Sequence, residues 1–247
     1  MSRKTLALFV LFSGAALAQP AAAGFDVASI RASQAKGKGV IDALPGSLTM
    51  RNTGLSTCIR WAYDLQPYQI SGPGWIDEER FDILAKAGSS ASQAALRRML
   101  QALLADRFKL AVHRETRELP ALILTLGSRP HKLEVAAQEG SPSFETGKLV
   151  LTGRGATLGQ LTEFLSREVH IPILDETGLK GRFNYSLDIN SYVTDEMLKA
   201  AGPGIPIEAP GIIKAAIEAQ LGLKVESRKA PIEVLVVDRV ERTPTEN

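Results

Sequence analysis

The feature that most constrains this chain is an internal repetition. Residues from Leu48 to about Leu126 and from Leu149 to about Val240 run through one pattern of elements. In each, a short strand leads to an amphipathic helix, a lone apolar strand, a Gly-containing turn, a further strand, a second helix and a closing hairpin. Leu48 and Met50 open the first copy, and Leu55, Cys58, Ile59 and Ala62 supply its helix face. Leu149 and Leu151, then Leu158, Leu161 and Leu165, do the same in the second. Gln69-Ile70-Ser71 answers Pro172-Ile173-Leu174, and Arg80-Phe81-Asp82-Ile83 answers Arg182-Phe183-Asn184-Tyr185.

The closing elements carry the pattern furthest. Leu96, Met99, Leu100, Leu103 and Leu104 form the stripe of a helix lying on a sheet, and Ile213, Ala216, Ile217 and Leu221 repeat most of it. The period then changes to two, with Phe108, Leu110, Val112 in one copy and Leu221, Leu223, Val225 in the other. Each copy next crosses a charged stretch, read as a turn, and ends in an apolar run preceded by Pro120 or Pro231. The expected fold is α+β: two tandem similar βαββαβ-type halves with helices packed on small mixed sheets. The halves are residues 24–127, which include an N-terminal strand, and 148–247, with a linker at 128–147. Three segments fall outside the repeat: an edge strand at Phe25 to Ile30, the polar stretch Gly127 to Gly147, and the Gly/Pro-rich insertion at 190–211. That insertion, with a short helix near Asp195 to Ala200, is a place to look for a binding surface, and Tyr192 is its candidate contact.

The first 23 residues read as a signal peptide. Arg3 and Lys4 form the basic start, Leu6 to Leu17 the apolar stretch, and Ala16-Leu17-Ala18 or Ala21-Ala22-Ala23 the cleavage site. No Cys follows, which argues against a lipid anchor, and no later segment is apolar enough to span a bilayer. The expected location is periplasmic or secreted. Without Arg3 and Lys4 the formal charge falls from +2 to zero, so no basic footprint for nucleic acid remains. Cys58, the single cysteine, aligns with Leu161 on a helix face and is expected to be buried and inert.

Chemistry is thinly signalled. No Gly-x-Ser-x-Gly elbow is present, and His113, His131 and His170 form no spaced set. His113 and Glu115 share one face of a strand but lack a third ligand in sequence, so neither a metal nor a cofactor is expected. Trp75, in Gly72-Pro73-Gly74-Trp75, suits either a ligand-stacking loop or a cap on the core. The binding candidates are therefore Trp75, His113, Glu115 and Tyr192, with no catalytic residue assigned. The carboxylates Asp77, Glu78, Asp175 and Glu176 are expected to be solvated.

The motifs Phe25-Asp-Val-Ala-Ser-Ile30, Tyr68-Gln-Ile-Ser-Gly-Pro-Gly-Trp75, Leu103-Leu-Ala-Asp-Arg-Phe-Lys-Leu110, Asp175-Glu-Thr-Gly-Leu-Lys-Gly-Arg-Phe183 and Val234-Leu-Val-Val-Asp-Arg-Val240 carry a resemblance. The chain resembles a large family of uncharacterised exported proteins, expanded in soil acidobacteria. In some relatives the module stands behind a membrane metallopeptidase similar to beta-lactam sensors. By element order, each half is also similar to the short N-terminal domain of secretins and TonB-dependent receptors. What this implies is a non-enzymatic binding, adaptor or sensory module with a protein or envelope-component partner. The rivals are an envelope hydrolase and a small-ligand binder at the seam between halves, the latter expected to show an apolar pocket with a few convergent polar groups.

Overall fold

A computed structural model describes residues 24–137, 141–147, 150–193 and 209–245. The signal-peptide segment, Leu149 and residues 194–208 of the insertion at 190–211, including the short helix expected near Asp195, lie outside the described residues. The architecture is α+β on three four-stranded sheets.

In the N-terminal sheet, β1 (Val27–Ala32), β2 (Val40–Leu44), β3 (Ser47–Gly54) and β5 (Arg80–Lys86) run antiparallel in the order β1-β5-β3-β2. The helices α1 (Leu55–Tyr63) and α3 (Gln93–Arg107) pack on each other and on this sheet. Their apolar stripes explain the packing: Leu55, Cys58, Ile59 and Ala62 in α1, and Leu96, Met99, Leu100 and Leu104 in α3, are all buried. Ser92 caps α3 by accepting the Ala95 amide at 3.3 Å. Between α1 and β5 come the short strand β4 (Ile70–Ser71) and the one-turn helix α2 (Trp75–Glu78).

The C-terminal sheet has the corresponding order, β7-β11-β9-β8, from β7 (Glu134–Val135), β8 (Ser143–Gly147), β9 (Val150–Ala156) and β11 (Phe183–Asp188). Register recurs with order. Val40 faces Arg51 as Ser143 faces Arg154, and Ala32 faces Phe81 as Val135 faces Phe183. Both ladders also break at one place. Asn52 and Gly155 take left-handed backbone, φ 50 and 58, and their amides are held by Asp82 Oδ1 at 2.7 Å and Asn184 Oδ1 at 3.0 Å. The helix α4 (Leu158–Val169) begins with a capping box between Thr157 and Gln160. The helix α5 (Ala209–Ala216) runs into a π-helical turn, Ile217–Leu221. Thus the edge strand at the start and the polar stretch 128–147, set outside the repeat in the sequence reading, supply matching strands to the two sheets.

The closing hairpins expected from sequence are not hairpins. Each is one continuous strand, β6 (Ala111–Leu126) and β12 (Leu223–Arg239), and the two pair antiparallel with each other along their length. The charged stretches read as turns, Arg114 to Glu118 and Glu226 to Lys229, are exposed or half-buried mid-strand residues. Neither stretch contains glycine or an Asn-Gly pair, so neither has the chemistry of a tight turn. The short strands then cross over. β4 of the first segment pairs parallel with β12, and β10 (Ile173–Asp175) of the second pairs parallel with β6. Only this central sheet, β10-β6-β12-β4, is mixed; the other two are wholly antiparallel.

The crossing reaches into the cores. Leu235 and Val237 belong to the core around α1 and α3, while Leu122 and Leu124 belong to the core around α4 and the π-helical turn. Pro120 and Pro231 sit inside β6 and β12. The Leu122 amide points to the outer edge, donating to Pro172 at 2.9 Å, so two residues earlier Pro120 lacks its N–H on that same edge. Gln69 Nε2 reaches the Glu233 carbonyl at 3.3 Å, which places Pro231 likewise.

Because Leu124 is fully buried in a core formed mainly by the other segment, Leu124→Ala should cost about 2–5 kcal/mol. Denaturant unfolding followed by probes in both segments should keep one shared transition. Two separated transitions would show that the cores do not depend on each other.

Candidate functional site

The central sheet leaves a gap where its short strand stops. β10 pairs with β6 only from Leu122 to Leu124, so Leu119 to Ala121 have a free edge on that side. The chain entering β10 is the end of α4, where His170 takes left-handed backbone, φ 54, as C-cap. Ile171 and Pro172 then lead into the strand. Tyr68, from the one-turn helix Pro67–Gln69 of the first segment, arrives from the opposite side. Its phenol is hydrogen-bonded to Ser166 of α4, whose Oγ also accepts the Ile173 amide at 2.9 Å. Burial pushes the Tyr68 phenol up from its ordinary range, against that hydrogen bond and the charge of Arg167.

The result is a cavity of about 550 Å³, within the ~300–1,000 Å³ range of small-molecule pockets. Leu119 to Leu122, Ile171, Pro172 and Pro210 make it mostly apolar, and Tyr68, His170 and Ser227 add the polar groups. At the corresponding place across the central sheet a side chain bridges the edge. Ile70 faces Leu235 as Ile173 faces Leu122, so Gln69 and Glu233 stand where Pro172 and Pro120 stand here. Gln69 bonds the Glu233 carbonyl; a proline pair has no donor for such a bond and leaves apolar space. A second cavity, of about 390 Å³, lies beside the C-terminal sheet among Lys132, Glu134, Arg154, Asn184 and Gln220. It is more polar, and the Gln220 amide is already bonded both ways to the Asp188 backbone, at 2.8 and 2.6 Å. The seam cavity therefore offers more transfer free energy to a ligand.

The sequence-picked residues fall elsewhere. His113 and Glu115 do share a strand face, with His113 Nε2 3.5 Å from Glu115 Oε2. Asp238, which the sequence reading did not single out, is the closer partner, 2.8 Å from Nδ1. Glu115 in turn pairs with Arg117, which donates to Ser71 Oγ at 2.9 Å. The hydrogen bond that His113 donates to Asp238 holds its imidazolium above the ordinary range, with Glu115 acting in the same sense. This chain of side chains bridges β4, β12 and β6 on an exposed face. Among the described residues, no group of three or more His, Cys, Asp or Glu is placed to hold a metal ion. Trp75 packs against the first core under the Arg242 guanidinium, 5.3 Å from its ring centroid, and Tyr192 packs against the second core. Asp77 and Glu78 lie in α2, Asp175 Oδ1 accepts from the Thr177 amide and hydroxyl, and Glu176 pairs with Arg228. Of the histidines considered, His170 alone lines the seam. Pro210 belongs to the insertion 190–211 that the sequence marked as a place to look for a binding surface, whereas Ser227 went unnoticed, since it acquires its place only through the pairing of distant strands.

An α+β protein with three sheets and a cavity at the seam of its two segments is the class this geometry defines. The chain belongs to the family described as protein of unknown function (DUF3738), whose model matches residues 56–240. No curated protein and no solved structure matches it. No helix among the described residues is long and apolar enough to cross a membrane.

Two measurements check the electrostatics. Cys58 is fully buried and burial pushes its thiol up to about 12. A bulky disulfide reagent should therefore leave it unlabelled until denaturant is added, and rapid native labelling would contradict the packing. For His113, a raised folded pKa means stabilisation that is complete below the unfolded value of ~6.5 and lost as pH rises through the folded one. The NMR titration midpoint of His113 should lie above ~6.5 and fall in Asp238→Asn; an unchanged midpoint in the variant would remove Asp238 as the cause.

Proposed function

We propose that this chain is an exported, non-enzymatic binding module of the cell envelope, built from a duplicated unit, that seats an apolar ligand at the seam of its two halves. One observation carries the reading. The 550 Å³ cavity is walled by Tyr68 and Leu119 to Leu122 from one half and by His170, Pro172 and Ser227 from the other. Such a site exists only in the assembled chain and joins apolar walls to a few polar groups, the composition expected of a ligand pocket. The basic start and short apolar stretch of residues 1–23 support export, as does the resemblance to exported acidobacterial proteins, some of them fused to sensor-like membrane metallopeptidases.

N-phenyl-1-naphthylamine, a neutral fluorophore, tests the reading on the mature protein. It should bind saturably, one per chain, and Ser227→Trp should abolish binding while circular dichroism and thermal unfolding stay near wild type. Ser227 is exposed on β12, where Trp suits strand backbone and would fill the space. Equal binding by the folded variant would place the fluorophore elsewhere and defeat the proposal.

A further inference from the structure

We infer that the seam cavity takes a monomeric single-chain amphiphile with an anionic head, a long-chain carboxylic acid, with its chain along the Leu119 to Leu122 wall and its carboxylate at His170. This rests on the binding reading above and adds the ligand's chemical class. The cavity lining includes no carboxylate side chain, and His170 and Ser227 each have a hydrogen to donate, beside Tyr68, whose phenol is bonded to Ser166.

The surroundings lean the same way. Arg167, in the last turn of α4, places its charge on Tyr68, and two of the nearby acids are ion-paired. Glu163 is 2.8 Å from Arg167, and Glu176 is paired with Arg228. An anion entering here meets donors and no unmatched lining acid. The C-terminal end of α4 is the negative end of its dipole, and Arg167 with His170 sits over it. His170 is exposed, so the head can keep part of its hydration while the chain is buried. The proline edge argues against an extended peptide as occupant. A strand added beside β6 needs the backbone donor that Pro120 lacks, whereas an alkyl chain needs none.

The test compares cis-parinaric acid with its methyl ester on the mature protein, by fluorescence below the micellar concentration. The acid should bind at one site per chain and the ester at least about tenfold more weakly, the scale of a charge-assisted hydrogen bond. His170→Asn keeps a residue that tolerates left-handed backbone; it should weaken the acid about tenfold and leave the ester unchanged. Ser227→Trp should abolish both. If acid and ester bind wild type equally and His170→Asn changes neither, the anionic head is refuted while the seam cavity stands. If neither ligand binds wild type, or both bind the folded Ser227→Trp variant as tightly, the cavity reading falls with it. Sedimentation with phosphatidylglycerol vesicles without binding of the free acid would assign the site to a lipid surface and overturn the proposal.

Discussion

The antiparallel ladder between β6 and β12 is the contact on which the rest depends. It runs from Leu126 against Leu223 to Ala111 against Arg239, so a single pair of strands joins the two segments over its full length. Each long strand runs past both segments, so residues at its two ends enter different cores. β12 gives Leu223 and Val225 to one core and Leu235 and Val237 to the other, and β6 gives Leu122 and Leu124 to one and packs Val112 against the other. Apolar side chains of this size contribute roughly 1.5–3 kcal/mol each when buried, and here each acts in a core shared with the other segment. The middle of the ladder belongs to neither of these cores: Ala121, Ile123 and Ala230 form a small cluster of their own there, and the charged residues around them are exposed or half-buried.

That arrangement creates both an opportunity and a hazard. Two long strands with only two short partners leave free edges, which invite pairing with other chains. Pro120 and Pro231 blunt those edges by removing a donor from each, and the charged residues between add repulsion. The same proline opens the seam. Where Gln69 can bond the Glu233 carbonyl a side chain bridges the edge, and where Pro172 and Pro120 stand no such donor is present. The cavity is thus a consequence of edge protection combined with local asymmetry between two segments of like topology.

Much of this was legible in the sequence as element order. The stripe of Leu55, Cys58, Ile59 and Ala62 and its counterpart at Leu158, Leu161 and Leu165 identified two helices correctly, because periodicity is local. Arg80-Phe81 and Arg182-Phe183 do open corresponding strands, β5 and β11. The error came where local pattern was ambiguous. Arg114 to Glu118 has the composition of a turn but not its turn-forming residues, and only the opposing strand, more than a hundred positions away, makes it extended. β7 was missed because two residues carry no period, and its place is set by β11. The site was the least legible part. His170 was noticed as a helix end, yet what it faces depends on Tyr68 and Ser227, which only the crossing of the strands brings near.

The polar face opposite the cores shows how the ladder can answer to its surroundings. His113 lies on β6 and Asp238 on β12, so their bond ties the end of the ladder that completes the first core. Arg117 extends the tie to Ser71 on β4, the strand that follows Tyr68 in the chain. The connection from this network to the seam is therefore short: Ser71 and Ile70 fix β4 against β12, and β4 fixes the one-turn helix that presents Tyr68. Being exposed, the ion pairs of the network are individually weak. The position of Tyr68 instead depends on backbone pairing to Leu235 and Val236 and on the Gln69 bond to Glu233. Protonation of His113 thus adjusts a cross-strand tie next to the seam without supplying the force that holds it. The seam itself is held by main-chain hydrogen bonds and buried apolar contacts, which do not titrate.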